Sequence, residues 1–417
     1  MKSKSWTPIT TGIGASDFSR AIREDPEKKG LLYAGTEHGA WVSWDDGAHW
    51  QSMRLNLPLV PVHDLTITDG DLIIATHGRS FYVFDDLSPI RQMTPASVAK
   101  EAHLYKPRDA YRVEWGGGRG GRGGGGAAPS GAVVYYTLAK GGQDVSLEFL
   151  DAQGKVIKAF SSKADSAAAP TAAAPADDDG PRPPAPAPVV PNKAGLNTFS
   201  WNLRYPDAVT FPGMILWAGD TRGPVAPAGT YSVRMRVGGG PAQTQTFKLK
   251  NDPRSSASAE DQLAQFTFLM KLRDRVSEAN EAVISMRYVK SEIDDRLKKA
   301  PAAGVAELTS AGGTLKTNVT GVEAEVYQIK NQSGQDPLNF PIKLNNKLAA
   351  LNGSVGSAPG RPTTQAVQVF TELNGKLDVQ TGRMKKIYAE DLKKYNELLK
   401  KYGLPEIETK PKPKVAM

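Results

Sequence analysis

The chain has 417 residues, 40% of them hydrophobic, with 52 basic and 44 acidic side chains and a formal charge of +8. That length carries two or three cores, since domains run to roughly 100–200 residues, and so modest a basic excess does not mark a nucleic-acid binder. With no cysteine, disulfides, thiolate catalysis and cysteine-ligated metal centres are excluded. No run approaches the ~20 apolar residues of a bilayer-crossing helix, so no membrane span is expected. The opening MKSKSWTPITTG lacks the apolar stretch of a secretory leader.

Residues 1–92 are strand-like and repeat themselves. "LLYAGTEHGAWVSWDDG" (31–47) aligns with "DLIIATHGRSFYVFDDL" (71–87) at an offset of 40, setting Thr36 over Thr76, Trp41 over Phe81, Trp44 over Phe84 and Asp45-Asp46 over Asp85-Asp86. SWTPI (5–9) echoes HWQSM (49–53). A period near 40 filled with short strands is the pattern of propeller blades, so 1–92 reads as a partial β-propeller of about two blades. Rings of this kind close with roughly 4–8 blades, and an open pair exposes strand edges. Upstream blades or a second chain are therefore needed to close it.

Residues 100–252 hold seven strand candidates, at 109–115, 132–139, 144–151, 155–160, 197–205, 229–237 and 244–250, separated by turn signals such as Pro227-Ala-Gly229. They predict an immunoglobulin-like or fibronectin-like β-sandwich with Phe199, Trp201 and Tyr231 in its core. Two inserts, 116–130 (glycine-rich, with Arg119 and Arg122) and 161–193 (Ala/Pro-rich), are expected to be disordered surface loops. Residues 257–402 turn to helical spacing: Leu269, Leu272, Val276, Ala279, Val283, Met286, Ile293 and Leu297, with Lys290 a polar break; then Leu315, Val319, Val322, Val326 and Ile329; then Met384, Tyr388, Leu392, Tyr395, Leu399 and Tyr402. These predict an antiparallel helical bundle of three long helices and a shorter piece near 341–352, followed by a disordered basic tail at 403–417. The fold class is thus multidomain α+β.

"SWDDGAHW" (43–50) reads Ser-x-Asp-x-Gly-x-x-Trp. An aspartate there can accept backbone N–H groups two or three residues on, Gly47 can supply a positive φ, and Trp50 can pack over the hairpin, so Ser43, Asp45, Gly47 and Trp50 form a structural clasp rather than a catalytic group. Asp45-Asp46, Asp85-Asp86 and Asp294-Asp295 are adjacent pairs whose side chains diverge, unlike the facing carboxylates of glycoside hydrolysis. His77 and Arg79, in "ATHGRSF" at a strand end, are the candidate ligand-binding residues. An anion would suit Arg79, with His77 as a pH-sensitive neighbour; the alternative is that they only hold a turn. No His/Asp/Glu spacing matches a zinc site, and no cofactor is implied. Two arginines without interleaved aromatics do not make an RNA-binding segment, and the Ser-x-x-Lys at Ser97–Lys100 lacks the partner motifs of a β-lactamase.

The Ser43, Asp45, Gly47 and Trp50 pattern resembles the Asp-box, or BNR repeat, of sialidase-like and sortilin-like propellers. The stretch 31–92, with "GLNTFSWNLRYP" and "PAGTYSVRM" further on, is similar to the C-terminal part of bacterial BNR-repeat propeller proteins. That resemblance implies an extracytoplasmic protein, periplasmic or secreted, in which Asp-boxes lie on the blade periphery away from any active site. The arginine cluster and tyrosine–glutamate pair of sialidases find no counterpart here. The expected function is a non-catalytic binding or scaffolding module that recognises a protein or carbohydrate ligand. The alternative is the accessory C-terminal region of a glycoside hydrolase whose catalytic blades lie elsewhere.

Overall fold

The computed structural model describes residues 7–53, 55–113, 130–163 and 188–410. It is a mixed α+β protein with β-sheets followed by a helical C-terminal part. The chain divides into two compact units. The first contains described residues of Met1–Lys163, Val189–Asn202 and Gly229–Lys250; the second contains those of Leu203–Ala228 and Asn251–Met417.

The first unit opens with two antiparallel sheets. Strands β1 (Ser19–Glu24), β2 (Leu32–Thr36), β3 (Gly39–Ser43) and β4 (Gln51–Ser52) form one sheet in that order; β5 (Val62–Thr68), β6 (Asp71–Thr76) and β7 (Phe81–Phe84) form the other. Leu31, Tyr33 and Val42 from the first and Val62, Leu65, Leu72 and Ile74 from the second share one core, closed by Leu87 and Ile90 next to and within helix α1 (Ser88–Gln92). Among the described residues these sheets do not close into a ring.

The 40-residue repeat is built into the backbone. Gly30 and Gly70 have φ of 77° and 82°, and Asp46 and Asp86 have 58° and 64°. The return strands, however, are offset by one. The β2–β3 hairpin pairs Thr36 with Gly39, whereas the Thr76 amide reaches across to the Ser80 carbonyl at 3.1 Å. The second turn is a residue longer, so Ala34 faces Trp41 while Ile74 faces Tyr82. Tyr82, not Phe81, is therefore the counterpart of Trp41, and Phe81 is 71% exposed.

After α2 (Pro95–Val98), the rest of this unit is two more sheets. One has the order β13 (Gly195–Trp201), β10 (Ala132–Leu138), β8 (Ala102–Leu104); the other runs β12 (Val156–Ser161), β11 (Val145–Leu150), β14 (Gly229–Val237), β15 (Gln243–Asn251), β9 (Ala110–Arg112). A strand overlaps each of the seven stretches named from the sequence, and β8 is an eighth. Alternation explains them: Tyr231, Val233 and Met235 on β14 and Phe247 and Leu249 on β15 point inward between polar neighbours. The sheets meet across aromatic rings, with Phe149 4.8 Å from Trp201 and Phe160 4.8 Å from Phe199. The insert boundaries are narrower than expected. Ser130 accepts a hydrogen bond from Ser200, Val190 bonds back to Ser161, and Asn192 donates to the Gln143 carbonyl; the remainder of both inserts, with Arg119 and Arg122, lies outside the described residues.

The second unit packs α3 (Ala259–Lys298), α4 (Val305–Val326), α5 (Leu344–Val355), α6 (Thr364–Ile387) and α7 (Lys393–Lys401) around one apolar core. Ser258 caps α3, its hydroxyl accepting the Asp261 amide at 3.0 Å. Lys290, the polar break in the α3 pattern, reaches the buried Glu323 of α4, which Arg287 also grips at 2.7 Å. Helix α4 stops at Val326, leaving Ile329 beyond it and 41% exposed. Helix α6 begins at Thr364, far ahead of the Met384–Tyr402 run: it buries Leu373, Leu377 and Thr381 while Val367, Val369 and Val379 are exposed, which hides its period. A π-helical turn, Tyr388–Leu392, joins α6 to α7.

Two corrections concern the ends of this unit. The tail expected to be free from residue 403 is held up to 410: Asn396 exchanges two hydrogen bonds with the Ile407 backbone, Ser285 donates to the Thr409 carbonyl, and Ile407 is buried. Residues 411–417 lie outside the described residues. Segment 203–228, placed by sequence inside the sandwich, belongs with the helices. Phe211 enters the helical core, and three buried asparagines hold the segment's backbone, with a fourth bonded to one of them. Asn280 donates to the Val209 carbonyl, Asn346 both accepts from and donates to Trp217, Asn352 donates to the Asp220 carbonyl, and Asn345 ties back to Asn280.

Candidate functional site

Ser43, the last residue of β3, is fully buried. Its hydroxyl donates to Asp45 Oδ1 at 2.8 Å and accepts the Gly47 amide at 2.9 Å. The same Oδ1 accepts the His49 amide at 2.9 Å, and Oδ2 lies 2.7 Å from His49 Nδ1. The aspartate thus spans four residues, further than the two or three the sequence suggested, because the serine hydroxyl takes the nearer amide. These bonds, from the His49 ring first, then its amide and then Ser43, hold the Asp45 carboxyl down at about 2. Gly47 has φ +87°, the left-handed region that favours glycine, and a Cβ there would stand 2.8 Å from Ile9 Cδ1, which would have to swing aside. Trp50 is buried with Leu32 and Ala34, and its indole donates to the Ile9 carbonyl at 2.7 Å.

At the opposite end of this hairpin sits a clasp the sequence reading missed. The Asp17 carboxylate accepts from Thr36 Oγ1 (2.9 Å), the Trp41 indole (3.2 Å) and the His38 amide (3.1 Å). The signal was absent because Asp17 is 19 or more residues from these partners.

The second repeat keeps the left-handed aspartate and loses the clasp. Asp86, buried, accepts the Ser88 amide at 3.0 Å and leads into α1. Asp85 is raised above the ordinary carboxylate range by burial first and by Asp71 next, with Arg108 opposing. Beside them is a cleft of about 480 Å³ lined by Glu27, Gly70, Asp86, Ser88, Arg91 and Arg108 among others. Arg91 chelates Asp25 at 3.0 Å and pairs with Glu27 at 2.8 Å; Arg108 holds Asp71 at 2.7 Å. Each guanidinium is already neutralised by carboxylates of the fold.

His77 and Arg79 lie in the exposed turn after β6. The His77 amide donates to the Pro61 carbonyl at 2.9 Å, and Thr76 Oγ1 donates to the Ser80 carbonyl at 2.6 Å, fixing the turn. The structure brings to His77 a residue the sequence reading left aside: the ring of His63 stacks on it, centroids 4.9 Å apart and planes 27° from parallel.

The remaining candidates are accounted for by structure. Ser97 and Thr94 form a capping box at the start of α2. Asp294 pairs with Lys316 of α4 and Asp295 with Lys298 of α3, so the two side chains diverge. Among the described residues no group of three or more His, Asp or Glu is placed to hold a metal, and no helix is long and apolar enough to cross a membrane.

No family model matches the chain, and no curated protein matches it. Two solved structures are similar to parts of it. CopC from Methylosinus trichosporium OB3b shares 15% identity over 31% of this chain and 85% of its own, with a TM-score of 0.16. The extracellular domain of a one-component system from B. thetaiotaomicron shares 8% identity over 58% of this chain and 26% of its own, also with a TM-score of 0.16. At such TM-scores neither likeness bears on fold or function.

Proposed function

We propose that the chain is a non-catalytic binding or scaffolding module, the C-terminal portion of a larger, extracytoplasmic BNR-repeat propeller protein. In this reading the two opening sheets are propeller blades, completed by upstream blades or a second chain. The paired sheets after them are an immunoglobulin-like sandwich, and the helices an accessory bundle. The ligand is a polypeptide or a glycan, met at the turn that carries His77 and Arg79.

One observation carries the choice against catalysis: the Asp45 carboxylate is occupied by its own turn, through Ser43, the His49 amide and the His49 ring. A carboxylate held at about 2 by those bonds is ionised near neutral pH, so it has no proton to donate to a leaving group and is a weak base for activating water. The Arg79 guanidinium, exposed and with no hydrogen-bond or ion-pair partner among the described residues, supports a contact role for its turn.

The test is a glycan and peptide array probed with the full chain and with Arg79→Ala, beside an assay on fluorogenic glycosides. Binding that weakens in Arg79→Ala without glycoside turnover supports the module. Turnover that vanishes in Asp45→Asn overturns it.

A further inference from the structure

We propose that His63 and His77 form a two-imidazole site for a divalent first-row transition ion, a role independent of any polypeptide or glycan ligand. Fourteen residues separate them, and only strand pairing brings them together. Val62 pairs with Thr76, and the register then slips between Val62 and Asp64, which makes His63 the extra residue of a β-bulge. A bulge re-aims the side chain at the slip, and here it sets the His63 ring on that of His77 at 4.9 Å. The hydrogen bond from the His77 amide to the Pro61 carbonyl anchors the second ring from the other side.

The five histidines differ in what their ring nitrogens do. His38 Nδ1 lies 3.2 Å from Asp17, and His49 Nδ1 lies 2.7 Å from Asp45. His103 is packed edge-on against Tyr105 with its Nδ1 buried, and burial lowers its basicity. The rings of His63 and His77 make no hydrogen bond to the described residues, and both residues are exposed. Two solvent-facing imidazoles, His63 on β5 and His77 in the turn that follows the adjacent β6, are a chelating pair for ions such as Zn²⁺, Ni²⁺ and Cu²⁺, which favour neutral imidazole nitrogen. To present both nitrogens to one ion the stacked rings must turn about their side-chain bonds, and the hydrogen bond from the His77 amide to Pro61 and the β5–β6 pairing already fix the backbone that carries them. A third protein ligand is not in place among the described residues; the remaining coordination positions belong to water and stay exchangeable, as at an open site.

The experiment titrates the full chain with NiCl₂, and separately with ZnCl₂, by isothermal calorimetry. One ion per chain is expected. His63→Phe and His77→Phe keep the stacked rings and remove a ligand, and each is expected to weaken binding at least about tenfold, the scale of loss known when even an outer partner of a metal ligand is removed. His38→Asn is expected to bind like the parent. Circular dichroism melts check folding, with His63→Asn and His77→Asn as substitutes where a phenylalanine variant does not fold. Undiminished affinity in both single variants, or no heat of binding by the parent, overturns the site.

Discussion

The turn at residues 43–50 and the segment at 203–228 are both irregular backbone, and they are held by opposite means. In the turn the side-chain acceptors are local: Ser43, Asp45, Gly47 and His49 bond to one another, while the Asp46 amide, the Trp44 indole and the Trp50 indole reach out to the Gly30, Ile90 and Ile9 carbonyls. In the segment these partners come from helices 71 to 132 residues away in sequence: Asn280, Asn346 and Asn352 take over main-chain groups that no strand or helix satisfies. The first has its two side-chain acceptors, Ser43 and Asp45, within the turn itself. The second exists only once α3 and α5 have packed, because a buried amide without a partner costs about 1–3 kcal/mol. Loops of the first kind are carried as a motif; those of the second depend on the cooperative fold.

The largest break in this contrast is expected at Asn346→Ala. It strips both the amide and the carbonyl of Trp217 of their partner, so stability should fall by about 2–3 kcal/mol, read as a lowered denaturant midpoint. Limited proteolysis should open first within 203–228. A melt unchanged by this substitution would show that the helical core alone holds the segment.

Gly47→Ala is expected to cost about 1–2 kcal/mol, the penalty of a left-handed backbone for a residue with Cβ, with Ile9 pushed aside as well. Proteolysis should then cut near residues 43–50 and leave 203–228 as protected as before. Cleavage in both regions would mean that the turn is not self-contained.

The smallest effect is one of pH. The folded Asp45 carboxyl sits at about 2, below the roughly 3.9 of a free aspartate. Its contribution is thus complete above about pH 4 and is lost as pH falls through about 2. Carboxyl chemical shifts of labelled Asp45 should show this midpoint; a midpoint near the free value would deny the clasp its bonds.

The turn was legible because its side-chain acceptors and the amides they take sit in eight consecutive residues. The strands of the first unit were legible from alternation, as in Tyr231, Val233 and Met235, and α3 from the spacing of its leucines and valines. Helix α6 was not: three valines on its exposed side blur the pattern that Leu373 and Leu377 would otherwise set. The one-residue offset that makes Tyr82 the counterpart of Trp41 in the second repeat was hidden too, since only pairing shows that the second hairpin turn is longer. At the candidate site, His77 and Arg79 stood out beside a glycine at a strand end, whereas His63 carried no local mark and joined them through a bulge.

By itself the sequence determined the features set by neighbours along the chain: a repeat with left-handed aspartates 40 residues apart, the Ser43–Trp50 clasp, and the change from strand to helix periodicity. Only tertiary structure decided which distant groups meet: His63 with His77, Glu323 with Arg287 and Lys290, and the asparagines with segment 203–228. The reason is physical. A turn or a periodic face is favoured by bonds and burial that a few consecutive residues supply, whereas a buried polar partner is chosen by the desolvation cost of every group that has been brought inside.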